Sequence, residues 1–330
     1  LAEGVTGWNH GIAMARSRTI TGPYELDPQA SVLTTRDDPS CALQKAGHGE
    51  LVETPDGEWY LVHLASRPLG HGDRRRCILG RETCLQKATW SADGWLRLAT
   101  GDWHPQISVP APVGVQAHPW PAPPTRDNFD VPTLEASWSS LRVPVDESWL
   151  SLRERPGWLR LRGRHSLHSL FAQSLVAKQL ASFTCTAETC VEFSPTHFTQ
   201  MAGLVCYYDT RTHFYLRLTH DERRGKVLGI VLTDDNAYAE LSFTQLEING
   251  WPRAYLRAAF DRETLRFSAS PDGERWRTIG PALDATKLSD DYGQALHFTG
   301  AFVGLSVQDL GGTLASADFD YFDLRPPLRR

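Results

Sequence analysis

Short runs of alternating apolar and polar residues, broken at regular intervals by turn residues, dominate this chain, and no stretch carries a convincing helical period. In the first third, residues 12–18 read as a strand ending at the turn Thr21-Gly22-Pro23-Tyr24. Residues 48–65 read as a hairpin turning at Pro55-Asp56-Gly57, and residues 82–98 as a second, turning at Ala92-Asp93-Gly94. Asp-Gly is a strong hairpin signal because glycine takes the positive φ that the turn needs. Trp59 and Trp95 follow these turns 36 positions apart. A loose repeat of β-units with an aromatic after each turn predicts propeller blades. At the head of the first hairpin, Lys45-Ala46-Gly47-His48-Gly49 sets one histidine in a small-residue turn. It is either a satisfied turn residue or a side chain displayed for function.

Residues 105–124 hold seven prolines. They cannot form a helix or a central strand, and they favour an extended, semi-rigid segment. The expected domains are therefore 1–104, a linker at 105–125, and 126–330. In the last part, residues 158–162, 214–218, 255–258 and 265–268 alternate, and Ser270-Pro271-Asp272-Gly273 is another hairpin turn. Residues 301–305 and 317–322 supply the closing strands. Such regular alternation predicts an antiparallel β-sandwich, with the arginines on its polar faces solvated.

Composition narrows the function. A net charge of -5 and no basic block argue against nucleic-acid binding. No apolar run is long enough for a membrane helix. Eleven tryptophans suit carbohydrate binding, since a flat ring stacks on the C–H face of a pyranose, although large β-cores also use tryptophan as filler. The six cysteines form no CxxC pair, which argues against a zinc site. Cys185 and Cys190 would point to opposite faces of one strand. Free thiols fit a reducing compartment, which slightly favours the cytoplasm, although six is an even number and leaves a bridge open. No signal peptide opens the chain, and no nucleophile elbow, P-loop or dinucleotide fingerprint occurs.

Ala2-Glu3-Gly4, Gln44-Lys45-Ala46-Gly47-His48, Trp59-Tyr60-Leu61-Val62-His63-Leu64 and Leu79-Gly80-Arg81-Glu82-Thr83 together resemble the family 43 β-xylosidases. Gln200-Met201-Ala202-Gly203-Leu204, Leu218-Thr219-His220-Asp221-Glu222 and Phe298-Thr299-Gly300-Ala301-Phe302 resemble their C-terminal concanavalin-like sandwich. The resemblance implies an all-β chain, part of a five-bladed β-propeller followed by a lectin-like antiparallel sandwich. It also implies an inverting, exo-acting β-1,4-xylosidase of xylo-oligosaccharides or aryl xylosides, with α-L-arabinofuranosidase as a side activity. In that family two aspartates accompany a glutamate acid. Glu3 matches the glutamate, and the aspartates belong to blades expected before Leu1, so the chain is expected to be the later blades plus the sandwich.

The resemblance gives roles to four residues. Glu3 is the general acid, with Gly4 letting substrate approach the backbone; the bland alternative is a frayed terminal glutamate. His48 faces the sugar or a cation at the propeller centre, where calcium is the expected ion and the imidazole would reach it through water, because calcium prefers oxygen ligands. Arg81 contacts the sugar or the acids, unless it only makes a structural salt bridge. Phe298, in a loop after the acidic turn Ser289-Asp290-Asp291-Tyr292, closes a shallow pocket, unless it is a core residue. His10, His63, Trp8 and Trp59 are expected to be blade packing.

Two rivals stand beside the enzyme. One is a non-catalytic remnant whose sandwich binds carbohydrate or merely packs. The other is an unrelated lectin-like protein in which residues 1–104 form a closed sheet. The enzyme reading expects an open propeller edge with exposed hydrophobic residues, to be covered by a partner; a homo-oligomer would serve.

Overall fold

The computed structural model describes residues 2–293 and 297–327. The chain divides into two compact units, Leu1–Pro121 with Leu296–Thr299, and Ala122–Ala295 with Gly300–Arg330. Both are built from antiparallel sheet, with no α-helix among the described residues.

In the first unit, Gln44–Glu53, Trp59–Ser66, Glu82–Trp90 and Leu96–Leu98 form a four-stranded meander in sequence order, the form of a propeller blade. A three-stranded sheet joins Ala2–Glu3, Gly11–Ile12 and Leu33–Thr34. The two sheets share one core, in which Ile12, Leu33, Ala46, Leu61 and Leu96 are buried together. These are open sheets, unlike the closed unit expected of an unrelated lectin. Leu51 and Val52 stand exposed on Gln44–Glu53, an edge strand.

The two Asp-Gly turns are geometrically equivalent. Thr54 N–H donates to Glu58 O and Ser91 N–H to Trp95 O, both at 2.8 Å. Gly57 and Gly94 take φ of +79° and +80°. That equivalence aligns Glu58, not Trp59, with Trp95, so the tryptophans are one residue out of register. One residue reverses the face of a strand. Trp95 accordingly lies in the core at 2% exposure, while Trp59 is half-buried, edge-to-face with Trp90 at 5.7 Å.

The Pro-rich stretch is strapped to the blade rather than free. Gln86 clamps Gln106 through two hydrogen bonds of 2.9 Å, and Tyr60 OH donates to Pro110 O at 3.0 Å. Val113 N–H donates to the Glu58 carboxylate at 2.6 Å.

The second unit is a sandwich of two eight-stranded sheets. One runs through Ser174–Gln179, Phe302–Asp309, Gln200–Tyr207, His213–Asp221 and Gly225–Asp234. The other is centred on Ser316–Arg325, Thr184–Glu192, Ala254–Asp261 and Thr264–Ser270. Leu204, Leu216, Leu256, Phe267 and Leu305 are fully buried. One alternating arginine departs from expectation: Arg217 is buried, not solvated. No disulfide joins any of the six cysteines, and Cys185 and Cys190 do share one strand.

Candidate active site

A short hairpin places Glu3. Ala2–Glu3 pairs with Gly11–Ile12, setting Glu3 opposite Gly11. The turn between them is closed by Gly7 N–H to Gly4 O at 2.9 Å and His10 N–H to Gly7 O at 3.0 Å. Gly4 has φ +73°, and a Cβ there would sit 2.6 Å from the Asn9 carbonyl oxygen. Turn geometry therefore demands this glycine, without any need to invoke an approaching substrate. The Glu3 side chain is exposed, and its carboxylate lies 3.4 Å from the Arg36 guanidinium. Arg36 is held in turn by donating to Ser31 Oγ at 2.7 Å.

The expected histidine turn is instead a bulged strand. Pairing of Gln44–Glu53 with Trp59–Ser66 shifts register between Gln44 and Gly47 and again between Gly47 and Glu50. Lys45 and His48 take φ of +54° and +55°. Bulges re-aim side chains, and His48 is exposed. Its two flanking glycines have steric reasons. A Cβ on Gly47 would lie 2.3 Å from Cδ2 of His10, and one on Gly49 2.6 Å from Cδ1 of Ile12.

Arg81 is half-buried and donates from Nη2 to His10 Nδ1 at 3.0 Å and to the Lys45 carbonyl at 3.3 Å. A guanidinium has only donors, so His10 Nδ1 accepts and its proton sits on Nε2. Burial first, and the Arg81 charge second, push the His10 pKa down to about 4. His10 is thus a neutral ring that supports Arg81 on one side and Gly47 on the other. His63 is lowered by burial as well, and its Nδ1 lies 3.1 Å from the Leu64 carbonyl. Trp8 contacts the Arg75 guanidinium at 3.9 Å and Lys45 Nζ at 4.8 Å. His10 and Trp8, expected as packing, therefore touch charged groups, Arg81 in the first case and Arg75 and Lys45 in the second. No sequence signal separates these rings from other packing aromatics, beyond their closeness to Glu3.

Phe298 is exposed, in the segment Leu296–Thr299 that groups with the first unit. The preceding acidic turn is not a solvated loop. Asp290 is buried and accepts from Tyr208 OH at 2.7 Å and from Gly300 N–H at 3.0 Å, which pins the root of the loop. Residues 294–296 lie outside the described residues.

A calcium site at His48 would need oxygen ligands around it. Among the described residues, the only group of three or more metal-ligating side chains close enough to share an ion is Asp38, Cys41 and His104, which does not include His48.

Residues 1–96 match the family described as glycosyl hydrolases family 43. Residues 126–325 match the β-xylosidase C-terminal concanavalin A-like domain. The chain belongs to family 43, in the branch that carries this C-terminal domain. Among similar proteins, a xylan 1,3-β-xylosidase of a Vibrio species is 44% identical over 98% of this chain and 61% of its own length. A xylosidase/arabinosidase of Humicola insolens is 41% identical, over the same shares of each chain. The crystal structure of a xylan β-1,4-xylosidase from Bacillus halodurans superposes with TM-score 0.95 at 48% identity, covering 98% of this chain and 62% of that one. The chain therefore spans about three fifths of the length of these relatives. Within this family 43 chain, Glu3, His48 and Arg81 fall in the glycosyl hydrolase match and Phe298 in the C-terminal domain match.

Proposed function

We propose that this family 43 chain works in the exo-hydrolysis of β-xylosides with inversion, with Glu3 as general acid and His48, Arg81 and Phe298 at the sugar. In such a reaction a carboxylate base takes a proton from water as that water attacks the anomeric carbon. The acid donates its proton to the departing glycosidic oxygen from the opposite face, and the two carboxyl groups stand about 6.5–9.5 Å apart. The products are xylose of inverted anomeric configuration and the alcohol or shortened chain. Arg81 and His48 would hydrogen-bond sugar hydroxyls; the guanidinium presents fixed donors, and its support on neutral His10 preorganises them. No described residue is assigned as the base, and no step is routed through calcium. The observation that carries the reading is the placement of Glu3 and His10 on one hairpin, with His10 joined to Arg81 and seated under the Gly47–His48 bulge. The xylosidase relatives support the substrate class, and the xylosidase/arabinosidase supports arabinofuranosides as a second class. β-1,4 is favoured over β-1,3 linkage by the Bacillus halodurans likeness.

Protein that includes the carboxylate base together with this chain is expected to release nitrophenol from 4-nitrophenyl β-D-xyloside, giving α-xylose first by NMR. Glu3→Gln should remove at least ~10²-fold of that rate, the usual weight of acid catalysis. Folded protein that includes the base and is inactive, or an active Glu3→Gln variant of it, overturns the assignment. The second reading, a sandwich that binds carbohydrate without cleaving it, is favoured by the buried arginine of the second unit.

A further inference from the structure

The strand His213–Asp221 carries Arg217 in the middle of its sheet, at 1% exposure. Its two neighbours across the ladder are both glycines, Gly203 on one side and Gly229 on the other. The row thus holds one long side chain with no side chain beside it. Arg217 Nη2 donates to Glu240 at 2.9 Å, while Nε and Nη1 are buried with no hydrogen-bond partner. Buried donors of a charged group are almost always paired, because leaving them unpaired is costly. A guanidinium that keeps two donors unmatched in the folded chain is therefore a feature to be explained.

Arg217 lines a cavity of about 640 Å³. Three guanidiniums, Arg217, Arg223 and Arg224, and three carboxylates, Asp221, Glu222 and Glu240, line its wall together. A second cavity of about 320 Å³ shares Phe198 and Glu240 with it and continues over His213, Tyr215 and Tyr238. Phe198 and Tyr238 are 55% and 51% exposed at its rim. The balance of charge disfavours an anion, which would meet Glu240 and Glu222 as well as the arginines. The density of donors and acceptors disfavours an apolar ligand. A neutral polyhydroxylated ligand meets both conditions: each hydroxyl donates to a carboxylate and accepts from a guanidinium, and its C–H face lies on an exposed aromatic ring.

We propose that this cleft on the sandwich is a non-catalytic binding site for a neutral pyranoside chain, with Arg217 and Glu240 at its floor and Phe198 and Tyr238 as stacking platforms. Arg224 and Gln245, which line the same cavity and hydrogen-bond each other, move aside so that ligand hydroxyls reach the free donors of Arg217. The ligand class follows from the cleft itself and does not rest on the hydrolytic reading above.

Isothermal titration of the full chain with xylohexaose and cellohexaose tests this, with polygalacturonate as the charged probe. At least one neutral hexaose is expected to bind. Tyr238→Ala and Phe198→Ala should each weaken that binding about three- to tenfold, as the loss of one ring contact does. Both positions are exposed, so their melting temperatures should stay at the wild-type value. Glu3→Gln should bind as wild type does, and Tyr238→Ala should hydrolyse a nitrophenyl xyloside at the wild-type rate. Four results overturn the proposal: no binding of either hexaose, binding of polygalacturonate alone, binding unchanged in both aromatic variants, or binding lost in Glu3→Gln. The last would place the sugar in the candidate active site. Failure of hydrolysis with hexaose binding intact would overturn the enzymatic reading alone.

Discussion

His10 shows how much one residue depends on its surroundings. As a letter beside a glycine it is indistinguishable from His48, and the sequence assigns it to packing. In the fold it is buried, accepts a hydrogen bond from Arg81 and has its pKa pushed down to about 4, chiefly by burial. The groups facing it, Arg81, His48 and His63, are cationic or become so on protonation, and they oppose its proton too. An unfolded histidine titrates near 6.5, so between about pH 6.5 and pH 4 the unfolded chain takes up a proton that the fold refuses. Stability from His10 is therefore complete above the unfolded value and is lost as pH falls towards 4. His213, also lowered to about 4 by burial, adds the same trend in the sandwich. Melting temperature is expected to fall across this window, and His10→Gln should flatten part of the slope. An unchanged slope would show that His10 titrates normally.

At the scale of strands, alternation and turn chemistry made most elements readable. The hairpins at Asp56-Gly57 and Asp93-Gly94 form where expected, because glycine there takes φ near +80°. Register was the harder quantity. The repeat in the sequence aligns Trp59 with Trp95, yet the turn hydrogen bonds align Glu58 with Trp95 and so send the two rings to different environments. Trp95→Ala, in the core, should cost about 3–5 kcal/mol by chemical denaturation. Trp59→Ala, half-buried, should cost distinctly less. Equal losses would contradict the register. The same limit explains His48: a bulge adds a residue to one strand only, and nothing in Lys45-Ala46-Gly47-His48-Gly49 distinguishes a bulge from a turn until its partner strand is known.

Across the whole molecule, six thiols are present and none is bridged. Burial pushes Cys41 up to about 11 and both Cys185 and Cys190 to about 12. The thiolate fraction of Cys41 at pH 7 is then only about 10⁻⁴, and thiolate is the reactive form. Native chain should react with Ellman's reagent far more slowly than free cysteine, six thiols should appear on denaturation, and dithiothreitol should leave the melting temperature unchanged. A rapid native thiol, or fewer than six after denaturation, would contradict the structure. No helix among the described residues is long and apolar enough to cross a membrane.

The fold class was legible because period-two alternation and Asp-Gly turns are local properties, written within a few residues of one another. Glu3, His48, Arg81 and Phe298 were proposed for the site on equally local grounds, since each sits in a short motif. What the tertiary structure decided depends on residues far apart in the chain. Arg217 alternates with apolar residues as the arginines of other strands do, and its placement between Gly203 and Gly229 and beside Glu240 makes it a buried group with unmatched donors. The Pro-rich stretch 105–125 reads as a linker, and the tertiary structure ties its residues 106, 110 and 113 to the blade through Gln86, Tyr60 and Glu58. Burial and pairing belong to contacts between distant segments, and alternation along one strand carries no record of its neighbours.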